Sequence, residues 1–541
     1  MHSEDLRKRR SPLRFSVHIE AFVSKRGGNM AIHTFAAIYI GTYDVSLKVF
    51  EFLDKKKVHQ VDHIRSRLDL GQDAFGEGSI GYEHVEELCD TLAQFKEIMQ
   101  SYRVDSYEVY ASAVLRDAEN ELFVLDQIYL RTGFKVKVVS NSEHRFISYK
   151  SVAGKATFEK MIQTSAAVVD VGGASIQITI FRDGKLITTQ HIETGIMRIH
   201  NLLGDRGLSQ AKYEMQIEEY MNKKLEAFRA MYMSEDVDYV ILISDYAMEL
   251  MKRMDETGNK ERQVKGEKFV KYIEKLQTKT LEEITAELKL SNDREPLIIP
   301  SMLLFKTLVV SVEPKTVWVP GANIQDGIAY DYAQRNKLLS ITHDFDADVI
   351  SAAQYLSEHF NSYTPHIEAL SKLSTKIFDA MKKVHGLGKR ERLLLEVATI
   401  LHDCGKYISL AESPESAYHI IMSSEIIGLT HQERELVAFV VLYNTLPLDP
   451  YEELSDHLTR EDYLCVAKLS AILRVANALD QSHKQKFKNI KIAVRERKLV
   501  FTVEAFEDIS LEQALFEAKT VYFENVYSMK PVLKEKRVYH S

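Results

Sequence analysis

Residues 35 to 52 read FAAIYIGTYDVSLKVFEF, an apolar run, a short polar stretch behind one glycine, and a second run in which apolar and polar positions alternate. The period of two broken at Gly41-Thr42-Tyr43-Asp44 predicts two strands joined by a turn. The same plan returns at residues 166 to 180, AVVDVGGASIQITIF, where an apolar strand enters Asp170-Val171-Gly172-Gly173-Ala174-Ser175 and leaves as a second β-rich run. Between the copies, HVEELCDTLAQFKEIMQSYRV (84 to 104) has its apolar residues at helical spacing. A strand at SYEVYASAV, a helix over ENELFVLDQIYLRTG that stops at Thr132-Gly133, the strand KVKVVS and a helix from Glu143 follow. Two glycine-turn hairpins, each opening an α/β lobe, predict a duplicated fold with a cleft between its halves, the usual place for a phosphate ligand.

From about residue 340 to 485 the pattern changes to amphipathic helices with short connections, which predicts an all-α bundle. NIKIAVRERKLVFTVEAF (489 to 506) reads as a hairpin, and LEQALFEAKTVYFENVYSMKP (511 to 531) as a helix followed by a strand or loop. The resulting division is a basic tail over 1–29, a first lobe over 30–152, a second over 153–336, a helical domain over 337–488 and a small α/β appendage over 489–541. NDREP (292 to 296) and the run near Asn336 are the best joints. The first 29 residues lack the apolar core and cleavage site of a secretory signal, so the folded part is expected to start near Met30.

Composition then narrows the class. A chain of 541 residues, 45% hydrophobic and 27% charged, has material for several cores. A net charge of −8 argues against a protein that coats nucleic acid, although a local pocket can oppose the global sign. Cys89, Cys404 and Cys465 have no paired spacing, as expected for a reducing cytoplasm. No apolar stretch reaches the roughly 18 residues that span a bilayer, so no membrane partner is expected.

Glycine is favourable where a backbone turns sharply or approaches another group and poor inside a strand. Alone, the Asp170 turn is equally an ordinary tight turn or a phosphate cradle whose acid holds a metal or a water. The ordered set AAIYIG, ASAVLRDAEN (111 to 120), VVSNSEHRFISYKSV (138 to 152), VVDVGGAS (168 to 175) and ETGIMRIH (193 to 200) resembles the exopolyphosphatase and guanosine pentaphosphatase (Ppx/GppA) family. The resemblance covers about residues 35 to 335 and closes at VPGANIQDGIAYDY. It implies a two-lobed actin-like ATPase (ribonuclease H-like) fold, an HD-type helical domain and hydrolysis of the terminal phosphoanhydride of polyphosphate or a guanosine polyphosphate with Mg²⁺. Such hydrolysis needs a cradle for phosphate oxygens, a cation to spread developing charge and a carboxylate to orient water. On the resemblance, Glu143 stands at the catalytic glutamate and Arg116 in the phosphate channel. Gly41 and Thr42 belong to the first phosphate loop, Gly172, Gly173, Ala174 and Ser175 to the second, and Asp170 to the metal.

The departures from the family all weaken that chemistry. Its usual first-loop acid is Tyr39 here, and Gly41-Thr42-Tyr43-Asp44 replaces a Gly-Ser-Asn-Ser run. Ser244-Asp245-Tyr246 replaces a third, glycine-rich phosphate element, and Gln325 stands where arginine is more usual. In the helical segment His385, His402, Asp403 and Asp480 match the frame of an HD metal site, while Glu415 and Tyr443-Asn444 replace other usual ligands. In that family the module extends the phosphate channel and the dimer interface, which implies a homodimer. Two readings remain: a weakened phosphoanhydride hydrolase, or an inactive relative that binds polyphosphate or a guanosine polyphosphate as a sensor.

Overall fold

The computed structural model describes residues 32–54, 57–204, 209–232, 236–254, 262–290, 295–340, 343–505 and 507–536. The basic stretch 1–29 and residues 292–294 of the NDREP joint lie outside these described residues.

The first lobe is built on β1 (His33–Ile40), β2 (Asp44–Asp54), β3 (Lys57–Arg67), β4 (Ser106–Ala111) and β5 (Val136–Val138), in the order β3-β2-β1-β4-β5. The second carries β6 (Ser165–Val171), β7 (Ile176–Arg182), β8 (Lys185–Ile192), β9 (Tyr239–Ile243), β10 (Gln263–Lys265) and β11 (Thr316–Trp318), in the order β10-β11-β9-β6-β7-β8. Each sheet begins with three antiparallel strands, and the first strand of each hairpin then pairs in parallel with a later one, β1 with β4 and β6 with β9. The two sheets are therefore copies of one plan, as the repeated hairpin predicts. Phe35 to Ile38 and Ala166 to Val169 are all at most 4% exposed, which accounts for their unbroken apolar runs.

The hairpin tips close in the same way: Gly41 N–H donates to Asp44 O (2.9 Å) and Gly172 N–H to Ser175 O (3.0 Å). The tips also touch. A Cβ built on Gly173 would lie 3.0 Å from Thr42 Cβ, so a side chain there would push the lobes apart. On the other side, the helix Ile324–Arg335 returns from the second lobe to the first. Its Asp326 accepts from Lys48 Nζ at 2.8 Å, and its Gln325 Nε2 donates to Ser46 Oγ at 2.8 Å.

The helical domain includes helices Phe345–His359, Thr364–Ala380, Lys389–Leu401, Ser413–Ser423, His431–Leu442 and Arg460–Leu479, and its core is continuous with one face of the second lobe. The appendage is β12 (Phe487–Arg495) and β13 (Lys498–Ala505), the helix Ser510–Tyr527, and β14 (Lys530–Glu535) parallel to β13. One helix, Asn141–Ala153, ties these parts together. Its first turn faces the cleft, while further along Arg145 pairs with Glu425 and Tyr149 Oη donates to Asp348 Oδ2 at 2.6 Å. Among the described residues no helix is long and apolar enough to cross a membrane.

Candidate functional site

The cleft between the lobes holds a cavity of about 260 Å³. Both hairpin tips line it, together with Tyr39, His144, Asp170, Arg65, the Ser244-Asp245-Tyr246 turn and Gln325. A second space of about 50 Å³ lies beyond Tyr39 and His144, and is lined by Arg116, Asn141, Gln177 and residues 172 to 175. The structure thus brings Gly41, Thr42, Asp170, Gly172, Gly173, Ala174, Ser175 and Arg116 to one place.

Tyr39 and His144 form a bar across that place. Tyr39 Oη lies 2.8 Å from His144 Nε2, and Gln177 Nε2 donates to His144 Nδ1 at 3.3 Å, which puts the ring proton on Nε2. Burial holds the His144 pKa down despite Asp170, whose Oδ2 is 3.7 Å from Nδ1, so the ring is neutral at pH 7. Burial pushes the Asp170 carboxyl up, with His144 and Ser148 opposing. Beside the bar, Asp170 is the carboxylate of the second loop. Mg²⁺ often binds through one or two carboxylates together with substrate phosphates, so this donor set fits Mg²⁺ only with the ligand completing the shell.

Glu143 is placed differently. Ser140 caps the helix Asn141–Ala153, and Glu143 is the third residue of a capping box. Its Oε2 accepts from Ser140 N (3.0 Å) and Ser140 Oγ (2.9 Å), while its Oε1 lies 3.1 Å from Lys137 Nζ. Burial pushes this carboxyl up, but the Ser140 and Lys137 contacts outweigh it and leave the pKa below the ordinary value. Glu143 lines neither cavity; the next residue, His144, lines both. Arg116 is also engaged, donating from Nη1 to Val139 O (3.0 Å) and from Nε to Asp117 Oδ1 (3.1 Å).

The two unexpected acids of the cleft have a partner that the sequence pattern did not single out. Arg65 of β3 pairs with Asp245 across the cleft, and its Nε is 3.8 Å from Asp44 Oδ2. The sequence pattern does not mark Arg65, His144 or Gln177 as cleft residues. The available signals were an arginine two residues before the end of β3, a histidine beside Glu143, and a glutamine two positions beyond the second loop.

In the helical domain the structure separates His385 from His402, Asp403 and Asp480. His385 Nε2 donates to Phe378 O (3.0 Å) and its Nδ1 accepts from Leu387 N (2.9 Å), so neither nitrogen has a lone pair left for a metal. The group formed instead is His366, Asp403 and His483, with His402 beside Asp403 and Asp480 behind His366. His366 opens the helix Thr364–Ala380 directly after Pro365, and His483 lies three residues beyond Asp480.

The Ppx/GppA phosphatase family profile matches residues 49–336, and that of Ppx/GppA phosphatase domain III matches residues 350–520. The chain is 22% identical over 463 residues to the guanosine-5'-triphosphate,3'-diphosphate pyrophosphatase of Photobacterium profundum, covering 83% of this chain and 86% of that one. Among solved structures, an exopolyphosphatase from Cytophaga hutchinsonii has a TM-score of 0.51 at 17% identity, covering 57% of this chain and all (100%) of the other. An exopolyphosphatase-like protein has a TM-score of 0.50 at 18% identity, over 57% of this chain and 99% of the other. The shared fold is the expected two-lobed actin-like ATPase fold, with a helical region following it.

Proposed function

The chain belongs to the Ppx/GppA phosphatase family, and we propose that its interlobe cleft binds a phosphoanhydride, polyphosphate or a guanosine polyphosphate, with strongly attenuated hydrolysis. The observation that carries this reading is the commitment of Glu143: both carboxylate oxygens are held by Ser140 and Lys137, outside the cavities. A positioned general base contributes about 10²- to 10⁴-fold in rate, and one lost electrostatic donor costs a further 10²–10³, roughly. The intact second loop and Arg116 support retained binding. The loop presents backbone around Gly172 and Gly173, and Arg116 lines the same space. Mg²⁺ on Asp170 would neutralise phosphate charge.

Of the two ligand types, a guanosine polyphosphate fits better. Tyr43, Tyr246, Leu297 and Ile324 line the larger cavity, giving a base an aromatic and apolar wall, while the smaller space beside Arg116 suits phosphate. The Photobacterium profundum relative is named for such a substrate. The test combines calorimetry with guanosine pentaphosphate and with polyphosphate, in Mg²⁺, and phosphate release from the same samples. Saturable binding that Arg116→Ala weakens, with release at the level of Glu143→Gln, supports the reading. Fast release by wild type that Glu143→Gln abolishes would restore the hydrolase reading.

A further inference from the structure

A groove of about 680 Å³ lies at the edge of the first sheet, where β5 is the last strand, and it shares no lining residue with the two cleft cavities. Its walls are β4 from Tyr107 to Tyr110, Lys135 and Lys137, the end of the helix Glu121–Thr132 at Tyr129 and Gly133, and Arg335 of the helix Ile324–Arg335. The volume falls in the range of roughly 300–1,000 Å³ that holds small organic ligands. The acids that line it are already spent. Arg335 Nη2 donates to Glu108 Oε1 (2.7 Å) and its Nε to Asp331 Oδ2 (2.8 Å). Tyr110 Oη donates to Glu108 Oε2 (3.1 Å), and Lys150 holds the other Asp331 oxygen. Where the carbonyl end of the helix Glu121–Thr132 meets the groove, Lys96 Nζ donates to Thr132 O at 2.7 Å.

Lys135 and Lys137 then leave the groove net positive, in a chain whose net charge is −8. A groove of that sign attracts an anion and not a metal ion. Two tyrosines share it: Tyr107 is 46% exposed and Tyr129 is 50% exposed, with Tyr107 packed edge-on against Phe134. Half-exposed aromatic rings beside lysines are the elements that hold a base by stacking and its phosphate by charge.

We propose that this groove is an effector site for a nucleoside monophosphate, with the base on Tyr107 and Tyr129 and the phosphate on Lys135 and Lys137, and that occupancy draws Lys137 away from Glu143. Lys137 is the link between the two places. It lines the groove, its Nζ lies 5.5 Å from the centre of the Tyr110 ring, and the same Nζ is 3.1 Å from Glu143 Oε1. A phosphate and the Glu143 carboxylate therefore compete for one ammonium group. Glu143 stands in the first turn of the helix Asn141–Ala153, next to His144 of the cleft, so the competition reaches the cleft through that turn. By linkage, removing the Glu143 charge must strengthen binding in the groove. This coupling depends on the Lys137–Glu143 pair and not on turnover in the cleft.

The test is calorimetry of AMP and GMP against the full-length Arg116→Ala chain, in which the cleft is weakened, with ribose 5-phosphate as the ring-free control. The expected result is saturable binding of at least one nucleotide, about one per chain, with a dissociation constant below about 1 mM. Ribose 5-phosphate should bind at least about tenfold more weakly. Tyr129→Ala and Lys135→Ala should each lower affinity by about fivefold or more, the worth of a stacked ring or a charged hydrogen bond. Adding Glu143→Gln should raise affinity by about 1.5- to 5-fold, the worth of an exposed ion pair given up to the phosphate. Thermal melts check that the variants fold; should Tyr129→Ala or Lys135→Ala not, the ribose 5-phosphate and Glu143→Gln comparisons decide. No saturable binding of either nucleotide, equal binding of ribose 5-phosphate, affinity unchanged in folded Tyr129→Ala or Lys135→Ala, or no gain with Glu143→Gln would overturn the proposal. Binding to wild type that Arg116→Ala abolishes belongs to the cleft and would overturn it as well.

Discussion

Replacing Glu143 by alanine separates a capping residue from a free catalytic carboxylate. The substitution removes the acceptor of Ser140 N–H and Oγ–H and the partner of Lys137. Loss of capping interactions costs about 0.5–2 kcal/mol. The Lys137 side chain is 54% exposed, so its ion pair adds at most a few tenths of a kcal/mol, roughly, after screening. The sum, about 1–2 kcal/mol, lowers the melting temperature by roughly 2–8 °C for a domain of this size. Glu143→Gln keeps an acceptor at the third helical position and should cost less, because glutamine also serves in capping boxes. The pH dependence follows from the depressed folded pKa. The carboxylate's contribution is present above its unfolded pKa and is lost as pH falls through the folded one, so wild type and Glu143→Gln should converge towards acid pH. Differential scanning calorimetry of the three proteins from neutral to acid pH makes the comparison. An unchanged or raised melting temperature in Glu143→Ala would refute the capping assignment and return Glu143 to the cleft.

The other predictions concern how the cleft is held. Asp245→Asn removes one negative charge beside the ligand space and leaves Arg65 with Asp44 as its remaining acidic partner in the cleft; at about 8 Å and an effective dielectric near 40 the lost charge is about 1 kcal/mol, so phosphoanhydride affinity should rise roughly fivefold by calorimetry. In Gly195→Ala the new Cβ would meet Gly173 O at 2.3 Å, so the second loop should shift, costing about 1–3 kcal/mol in a denaturant melt together with ligand affinity. Despite burial, Asp348 and Glu159 hold the His343 pKa above its ordinary value. The raised pKa makes this contribution complete below the unfolded pKa and lost as pH rises through the folded one, so the melting-temperature gap between wild type and His343→Gln should narrow with rising pH.

Much of the fold was legible because hairpin alternation and glycine turns are local signals. FAAIYIG and AVVDVGG predict the β1 and β6 tips, and the structure places them in contact through Thr42 and Gly173. The site was legible only as a set of positions, since a residue type does not say where its side chain is spent. Glu143 sits at the expected helix head, but Ser140 at the N-cap makes it the third-position partner of a capping box. His385 and His366 are both histidines on neighbouring helical segments, and what tells them apart is that His385 donates to Phe378 O and accepts from Leu387 N. Arg65 escaped because its partner Asp245 lies 180 positions away, in the other lobe.

The central claim, binding with strongly attenuated hydrolysis, is tested most directly by mixing guanosine pentaphosphate with excess protein and Mg²⁺, then following bound ligand and released phosphate together. The account predicts a stable complex, weakened by Arg116→Ala, that releases phosphate far more slowly than the roughly 1–10³ s⁻¹ of ordinary enzymes. Release within that range, abolished by Glu143→Gln, would contradict it.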